Sequence, residues 1–194
     1  MEADAVILAG GGSRRMGGFH KGNLKLGELT FTQRLIQQLA PQTNQIYLSC
    51  GENTPTDVSN CQIARDEYSG CGPMGGLHAS LKRCESDLLL VAACDTPLLT
   101  MEFYRYLCTF LGEHDGVVAV VNGRMQPLAA VYTKRLLPVF EACLREGNYR
   151  LRDALTQADI CYVELTDQPT LCAMLQNINT PQEYEHFLQQ RAEL

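Results

Sequence analysis

The residues best suited to chemistry stand near the front of the chain, in Leu8-Ala9-Gly10-Gly11-Gly12-Ser13-Arg14-Arg15-Met16-Gly17-Gly18, with Lys21 close behind. A short apolar run, Ala5-Val6-Ile7-Leu8, leads into them. Glycines let backbone N–H groups turn inward and approach an anion, because no Cβ stands in the way. Arg15 can add a guanidinium fork and Lys21 a point charge. The pattern reads as a buried strand feeding a loop that holds phosphates, which points to a nucleotide-handling enzyme. Spacing excludes two common phosphate loops. After Gly12 and Gly17, Gly18-Phe19-His20 stands where a P-loop needs Lys and Ser/Thr. Counted from Gly10, the third glycine of a dinucleotide fingerprint would fall on Arg15. A plain surface turn rarely needs so many glycines interleaved with two arginines.

A second motif follows another apolar run, Asp87-Leu88-Leu89-Leu90-Val91-Ala92-Ala93, and reads Cys94-Asp95-Thr96-Pro97. A carboxylate at the carboxyl end of a buried strand can hold Mg²⁺, which takes one or two carboxylates plus substrate phosphates and water. Asp-Thr-Pro also spells a turn, with Asp95 as its cap. The phosphate loop favours the metal reading, since phosphates without a cation would be under-neutralised. Cys94 reads as a buried spacer at the strand end. Asp66 follows a short strand-like run, and Gly70-Cys71-Gly72-Pro73-Met74-Gly75-Gly76-Leu77 comes next. Those glycines can admit a ligand to a helix N-terminus, or let a helix pack closely on a strand. Asn177-Ile178-Asn179-Thr180-Pro181 places two amides in alternation before a helix start. The amides can bond a polar heterocycle, or the segment can be a simple cap. Gln126-Pro127-Leu128 precedes a strand and can line the same pocket.

The elements that must position these residues alternate. Ala5–Ala9, Ile46–Leu48, Gln62–Ala64, Asp87–Ala93, Gly116–Val121, Leu128–Tyr132 and Ile160–Leu165 read as strands. Thr30–Leu39, with Thr30 as cap, Met74–Leu81, Thr100–Leu111, Leu136–Arg145, Leu151–Ala158 and Pro181–Gln190, with Thr180 as cap, read as helices. This alternation implies a layered α/β fold around a mostly parallel, Rossmann-like sheet. Ligands then bind beyond the carboxyl ends of the strands, where both richest motifs fall.

At 194 residues the chain suits one domain spanning 1–194. A net charge of −6 argues against a general nucleic-acid binder, while the cations of the 14–25 segment leave room for a small anionic ligand. No apolar run approaches a membrane span, and the acidic start lacks the basic region of a signal peptide, so a cytoplasmic protein is expected. The nine cysteines are scattered without Cys-x-x-Cys spacing, as expected of reduced thiols rather than a zinc site or disulfide framework.

Taken in order, Leu8-Ala9-Gly10-Gly11-x-Ser13-x-Arg15-Met16-Gly17 with Lys21, Gly72-Pro73-Met74-Gly75-Gly76, Cys94-Asp95-Thr96-Pro97, Gln126-Pro127-Leu128-Ala129-Ala130-Val131-Tyr132 and Asn177-x-Asn179-Thr180-Pro181 resemble the molybdenum cofactor guanylyltransferase (MobA) family of the nucleotidyltransferase superfamily. The match runs over nearly the whole chain. The first motif is shared by many nucleotidyltransferases, and the last two narrow the choice. The resemblance implies an α/β/α nucleotidyltransferase fold and Mg²⁺-dependent transfer of GMP from GTP to the phosphate of molybdopterin. Its products would be the guanine dinucleotide cofactor and pyrophosphate. It also implies that Leu8, Ala9 and Gly10 hold the nucleotide by backbone, that Arg15 and Lys21 bind the triphosphate, and that Asp66 contacts GTP. Asp95 would bind Mg²⁺, and Asn177 and Asn179 would face the pterin. Proteins that deliver the cofactor or mature molybdoenzymes are possible partners by the same resemblance. The family often has Asn where this chain has Ser49, a GTP contact by position; a hydroxyl cannot reproduce an amide's two-point contact. The alternatives are a cytidylyltransferase on the same cofactor, a sugar-phosphate nucleotidyltransferase, and a non-catalytic carrier of the cofactor.

Overall fold

The structure is a computed structural model, and it describes residues 2–10, 21–51 and 58–192. Its first strand, β1 (Ala3–Leu8), is buried along its whole length. A two-residue hairpin, β2 (Lys25–Leu26) and β3 (Leu29–Thr30), leads to α1 (Phe31–Leu39). Then come β4 (Ile46–Ser49), β5 (Gln62–Ile63), α2 (Pro73–Arg83), β6 (Leu88–Ala93) and α3 (Met101–Cys108). The second half contains β7 (Gly116–Val121), β8 (Arg124–Thr133), α4 (Leu137–Arg145), α5 (Leu151–Leu155), β9 (Ile160–Glu164), α6 (Pro169–Met174) and α7 (Pro181–Ala192).

Seven strands form one sheet in the order β5-β4-β1-β6-β8-β7-β9. All run parallel except β8, which is antiparallel to both neighbours. Strands buried on both faces need side chains that are apolar on both, which is why β1 and β6 read as unbroken apolar runs. Their alternate residues divide between two cores. Ala5, Ile7, Leu90 and Ala92 pack on one face with α1 and α3, through Leu35, Leu39, Phe103 and Leu107. Val6, Leu8, Leu89 and Val91 pack on the other with α2, α4 and α5, through Met74, Leu77, Phe140 and Leu155. A third, small cluster of Phe31, Leu98, Ile178 and Phe187 fastens α7 and the segment before it against the start of α1.

Local signals account for the ends. Thr30 accepts from the Gln33 N–H at 3.1 Å while Gln33 Oε1 accepts from the Thr30 N–H at 2.9 Å, a capping box that starts α1. Thr180 and Glu183 cap α7 in the same way. Some boundaries differ from the sequence reading. α3 stops at Cys108 and α5 at Leu155, each a few residues short, because tighter turns follow: Phe110 N–H donates to Leu107 C=O and Gln157 N–H to Ala154 C=O, both at 3.0 Å. β8 begins at Arg124, not Leu128, and carries Pro127 inside it. Proline cannot donate to a ladder, and the β7–β8 register breaks there. The hairpin of β2 and β3 and the short α6 escaped the reading altogether.

Candidate active site

The carboxyl ends of β1, β4 and β6 and the turns after them open onto a cleft of about 650 Å³. Leu8, Ala9, Gly10, Lys21, Ser49, Asp66 and Asp95 line it, with Gly70, Gly72, Pro73, Cys94 and Leu128 among the rest. Of the residues expected at the site, those seven therefore meet in one place. Arg15, with all of residues 11–20, lies outside the described residues.

Lys21 opens a short helical turn, and its ammonium crosses the cleft to two partners. It donates to Asn179 Oδ1 at 2.5 Å and lies 3.3 Å from Asp95 Oδ2. Both members of that ion pair keep 23% of their side-chain surface exposed, so a ligand can still reach them. Asp95 does not cap the turn after β6. Thr96 closes that turn, donating through its N–H at 3.1 Å and its hydroxyl at 2.8 Å to the Ala93 carbonyl. The Asp95 side chain is thereby left to the cleft. Its neighbour Cys94 is buried, and burial, with the charge of Asp95, pushes its thiol up to about 12, so it stays a neutral spacer.

The segment before α7 is a cap, and it also bonds to the site. The Asn179 and Thr180 N–H groups donate to Glu183, which is a cap, while the Asn179 side chain turns to Lys21. Between the amides, Ile178 is fully buried, and its N–H donates to Asp95 C=O at 2.9 Å. That bond ties the segment to the turn after β6. Asn177 is exposed and has no partner among the described residues.

At the other end of the cleft, Ser49 and Asp66 meet. The Ser49 hydroxyl donates to Asp66 Oδ1 at 3.3 Å. Burial raises the Asp66 carboxyl above the usual range; the Ser49 bond and Arg83 counteract it. The Ala9 and Gly10 N–H groups both donate to Ser49 C=O, at 2.7 and 3.0 Å. Those donors are thus engaged within the protein, and the Asp66 carboxylate lines the cleft beside them. The glycines of the 70–76 stretch divide between the two readings open for them. Gly70 and Gly72 line the cleft, and Gly72 takes φ +61° to turn the chain into α2. Gly75 and Gly76 are packing residues. A methyl on Gly75 would lie 2.9 Å from the Tyr68 carbonyl, and one on Gly76 would overlap the Ser49 hydroxyl.

Among the described residues no three His, Cys, Asp or Glu side chains gather as a metal cage. Asp95 does offer a carboxylate whose Oδ1 has no partner among the described residues. A single carboxylate beside a phosphate site suits magnesium, which keeps water and draws the rest of its oxygens from substrate. His78, His114 and His186 are elsewhere; none lines the cleft.

A mostly parallel sheet with glycines, a lysine and an acid gathered at its carboxyl ends places the chain among α/β proteins that bind ligands at that edge. Comparison narrows the class. Residues 5–161 match the MobA-like NTP transferase domain family. The molybdenum cofactor guanylyltransferase of Vibrio cholerae is 33% identical over 184 residues, covering 94% of this chain and 89% of its own. That of Vibrio parahaemolyticus is 32% identical and covers 94% and 93%. A crystal structure of molybdopterin-guanine dinucleotide biosynthesis protein A from Archaeoglobus fulgidus superposes with a TM-score of 0.81 at 20% identity, covering 98% of this chain and all of that one. The chain belongs to the MobA-like NTP transferase family and is an enzyme, a nucleotidyltransferase. No helix among the described residues is long and apolar enough to cross a membrane.

Proposed function

We propose that the enzyme transfers GMP from GTP to the phosphate of molybdopterin and releases pyrophosphate. One observation carries the reading. A single cleft is lined by the Asp66 carboxylate at one end and by the Lys21–Asp95 pair at the other, with Asn179 bonded to Lys21. The names of the Vibrio relatives support this choice of substrates. Guanine presents N–H donors on one edge, and a carboxylate such as that of Asp66 is their complement. Cytosine offers fewer donors to the same lining, which favours guanylyl over cytidylyl transfer.

The chemistry asks for positioning and charge neutralisation. The acceptor phosphate oxygen forms a bond to the α-phosphorus of GTP as the bond to pyrophosphate breaks in line. The nucleophile is already an anion, so no general base is needed, and the cleft has no histidine among its described lining. Lys21, joined by Arg15, would hold the triphosphate. Asp66, with Ser49 bonded to it, would orient the base. Asn179 and Asn177 would face the pterin. Asp95 would hold Mg²⁺, which when bound neutralises phosphate charge. Cofactor-delivering and molybdoenzyme-maturation proteins would be its partners. The nine free thiols fit work in the reducing cytoplasm.

The test is pyrophosphate release from purified protein with Mg²⁺, molybdopterin, and GTP, CTP, ATP or UTP in separate reactions. Release with GTP alone establishes the reading. Release with CTP moves the enzyme to the cytidylyl branch. No release with any nucleotide from folded protein and active cofactor overturns the acceptor assignment.

A further inference from the structure

The wall of the cleft beyond Asp95 is made by an excursion of β8. On one side of that strand the register jumps, with Val118 opposite Ala130 but Ala119 opposite Gln126. Pro127, Leu128 and Ala129 therefore have no partner on β7. On the other side β6 pairs with β8 only as far as Val91 opposite Ala130. Ala92 and Ala93 continue along β1 without it. Both ladders thus part at the same three residues, next to the turn that carries Asp95. Leu128, at the middle of the excursion, lines the cleft.

One side chain ties this loosened stretch down. The Tyr132 hydroxyl donates to the Pro127 carbonyl at 2.8 Å. Five residues of straight strand would span roughly 17 Å, further than a phenol reaches, so the contact exists only because the excursion doubles back. Tyr132 is fully buried, and its ring meets Phe140 edge-on at 6.0 Å between centroids. The strand residue opposite is Gly116, where a Cβ would stand 2.7 Å from Tyr132 Cδ1. The ring has room because position 116 has no side chain. Burial holds the phenol well above its ordinary pKa, so it remains a donor.

We propose that Tyr132 is a positioning residue for the acceptor. By holding the Pro127 carbonyl it sets Leu128 as the cleft wall on the side of Asp95 away from Asp66. This rests on the reading above, in which the nucleoside lies toward Asp66 and the molybdopterin phosphate approaches from the far side.

Tyr132→Phe keeps the ring and removes the hydroxyl. Initial rates with GTP and molybdopterin varied separately would be read beside amide hydrogen exchange over residues 126–129. The expected result is a KM for molybdopterin raised roughly tenfold, the worth of one net hydrogen bond. The KM for GTP should be unchanged, and exchange at 126–129 should be faster. An unchanged KM for molybdopterin overturns the proposal even if exchange quickens. So does a rise in both KM values together with a lower melting temperature, which would make the hydroxyl merely structural. If the wild-type enzyme releases no pyrophosphate from these substrates, the functional reading falls instead. Unchanged exchange at 126–129 would then overturn the proposal by itself, and faster exchange would uphold the hydroxyl as the tie on this wall.

Discussion

Replacing Lys21 by methionine removes one positive charge and keeps most of the aliphatic stem. The ammonium it removes lies 3.3 Å from Asp95 Oδ2 and 2.5 Å from Asn179 Oδ1. At an effective dielectric of about 20 the Coulomb attraction of such a pair is about 5 kcal/mol. Desolvation offsets most of it, and the partial exposure of both groups lets solvent screen the rest. The folded state should therefore lose about 1 kcal/mol, or roughly 2–4 °C in melting temperature for a chain of this size. The rate should fall much further. A donor aimed at charge that develops in the transition state is worth about 10²–10³ in kcat. The assay is pyrophosphate release at saturating GTP, molybdopterin and Mg²⁺, run beside a thermal melt. Turnover near wild type would refute the reasoning, because the phosphates would then be neutralised without Lys21. A collapse of the melt would refute it too, by making Lys21 structural. A double-mutant cycle with Asn179→Ala should give a coupling of about 0.5–3 kcal/mol in transition-state stabilisation. Additive effects would mean the contact is not used in the reaction.

Asp95→Ala should nearly abolish transfer, by about 10²–10³ in kcat at the Mg²⁺ concentration that saturates the wild type, with a cooperative melt retained; wild-type turnover with an unchanged Mg²⁺ requirement would remove Asp95 as a metal ligand. Gly76→Ala should destabilise by about 1–3 kcal/mol, seen in a denaturant melt, because its methyl needs the space of the Ser49 hydroxyl. The KM for GTP should rise as pH falls, beginning above the usual carboxylate range, because Asp66 accepts base N–H groups only when ionised and its folded pKa is raised. In Asp66→Asn that pH dependence should vanish. Ser49→Asn should lower the melting temperature without lowering the KM for GTP, since Ser49 is buried where α2 passes closest.

The fold could be read largely from unbroken apolar runs, because a strand covered on both faces admits little else. Asp87–Ala93 and Gly116–Val121 gave their strands almost to the residue. What escaped was structure whose cause is not local. The sequence reading starts β8 at Leu128, whereas the strand begins at Arg124; Pro127 cannot donate to a ladder, and the break with both neighbours makes room for it. Pro169–Met174 is too short for a helical period to show. The rule that ligands lie at carboxyl ends of strands placed the two richest motifs, and the family resemblance supplied Ser49 and the roles of the other residues. Neither showed the site's internal bonds, since Lys21 meets residues 74 and 158 positions away. Nor could the sequence show that Ser49 spends its proton on Asp66, or that Thr96 rather than Asp95 closes the turn after β6.

The strand order also divides the labour of the cleft. β5, β4, β1 and β6 lie side by side and parallel, so their carboxyl ends form a continuous floor from Asp66 to Asp95. Beyond β6 that floor ends, because β8 runs the other way and enters this side of the sheet by its first residues. The wall there has to come from an excursion within the strand and from the segment before α7. Three contacts hold those pieces: Tyr132 to Pro127, Ile178 to Asp95, and Lys21 to Asn179. None of the three touches Ser49 or Asp66. The acceptor side can therefore be reshaped through these contacts while the nucleoside side keeps its geometry. An enzyme that joins one nucleotide to a chemically different acceptor needs that independence, because the two halves of its substrate present unrelated surfaces to the same phosphate.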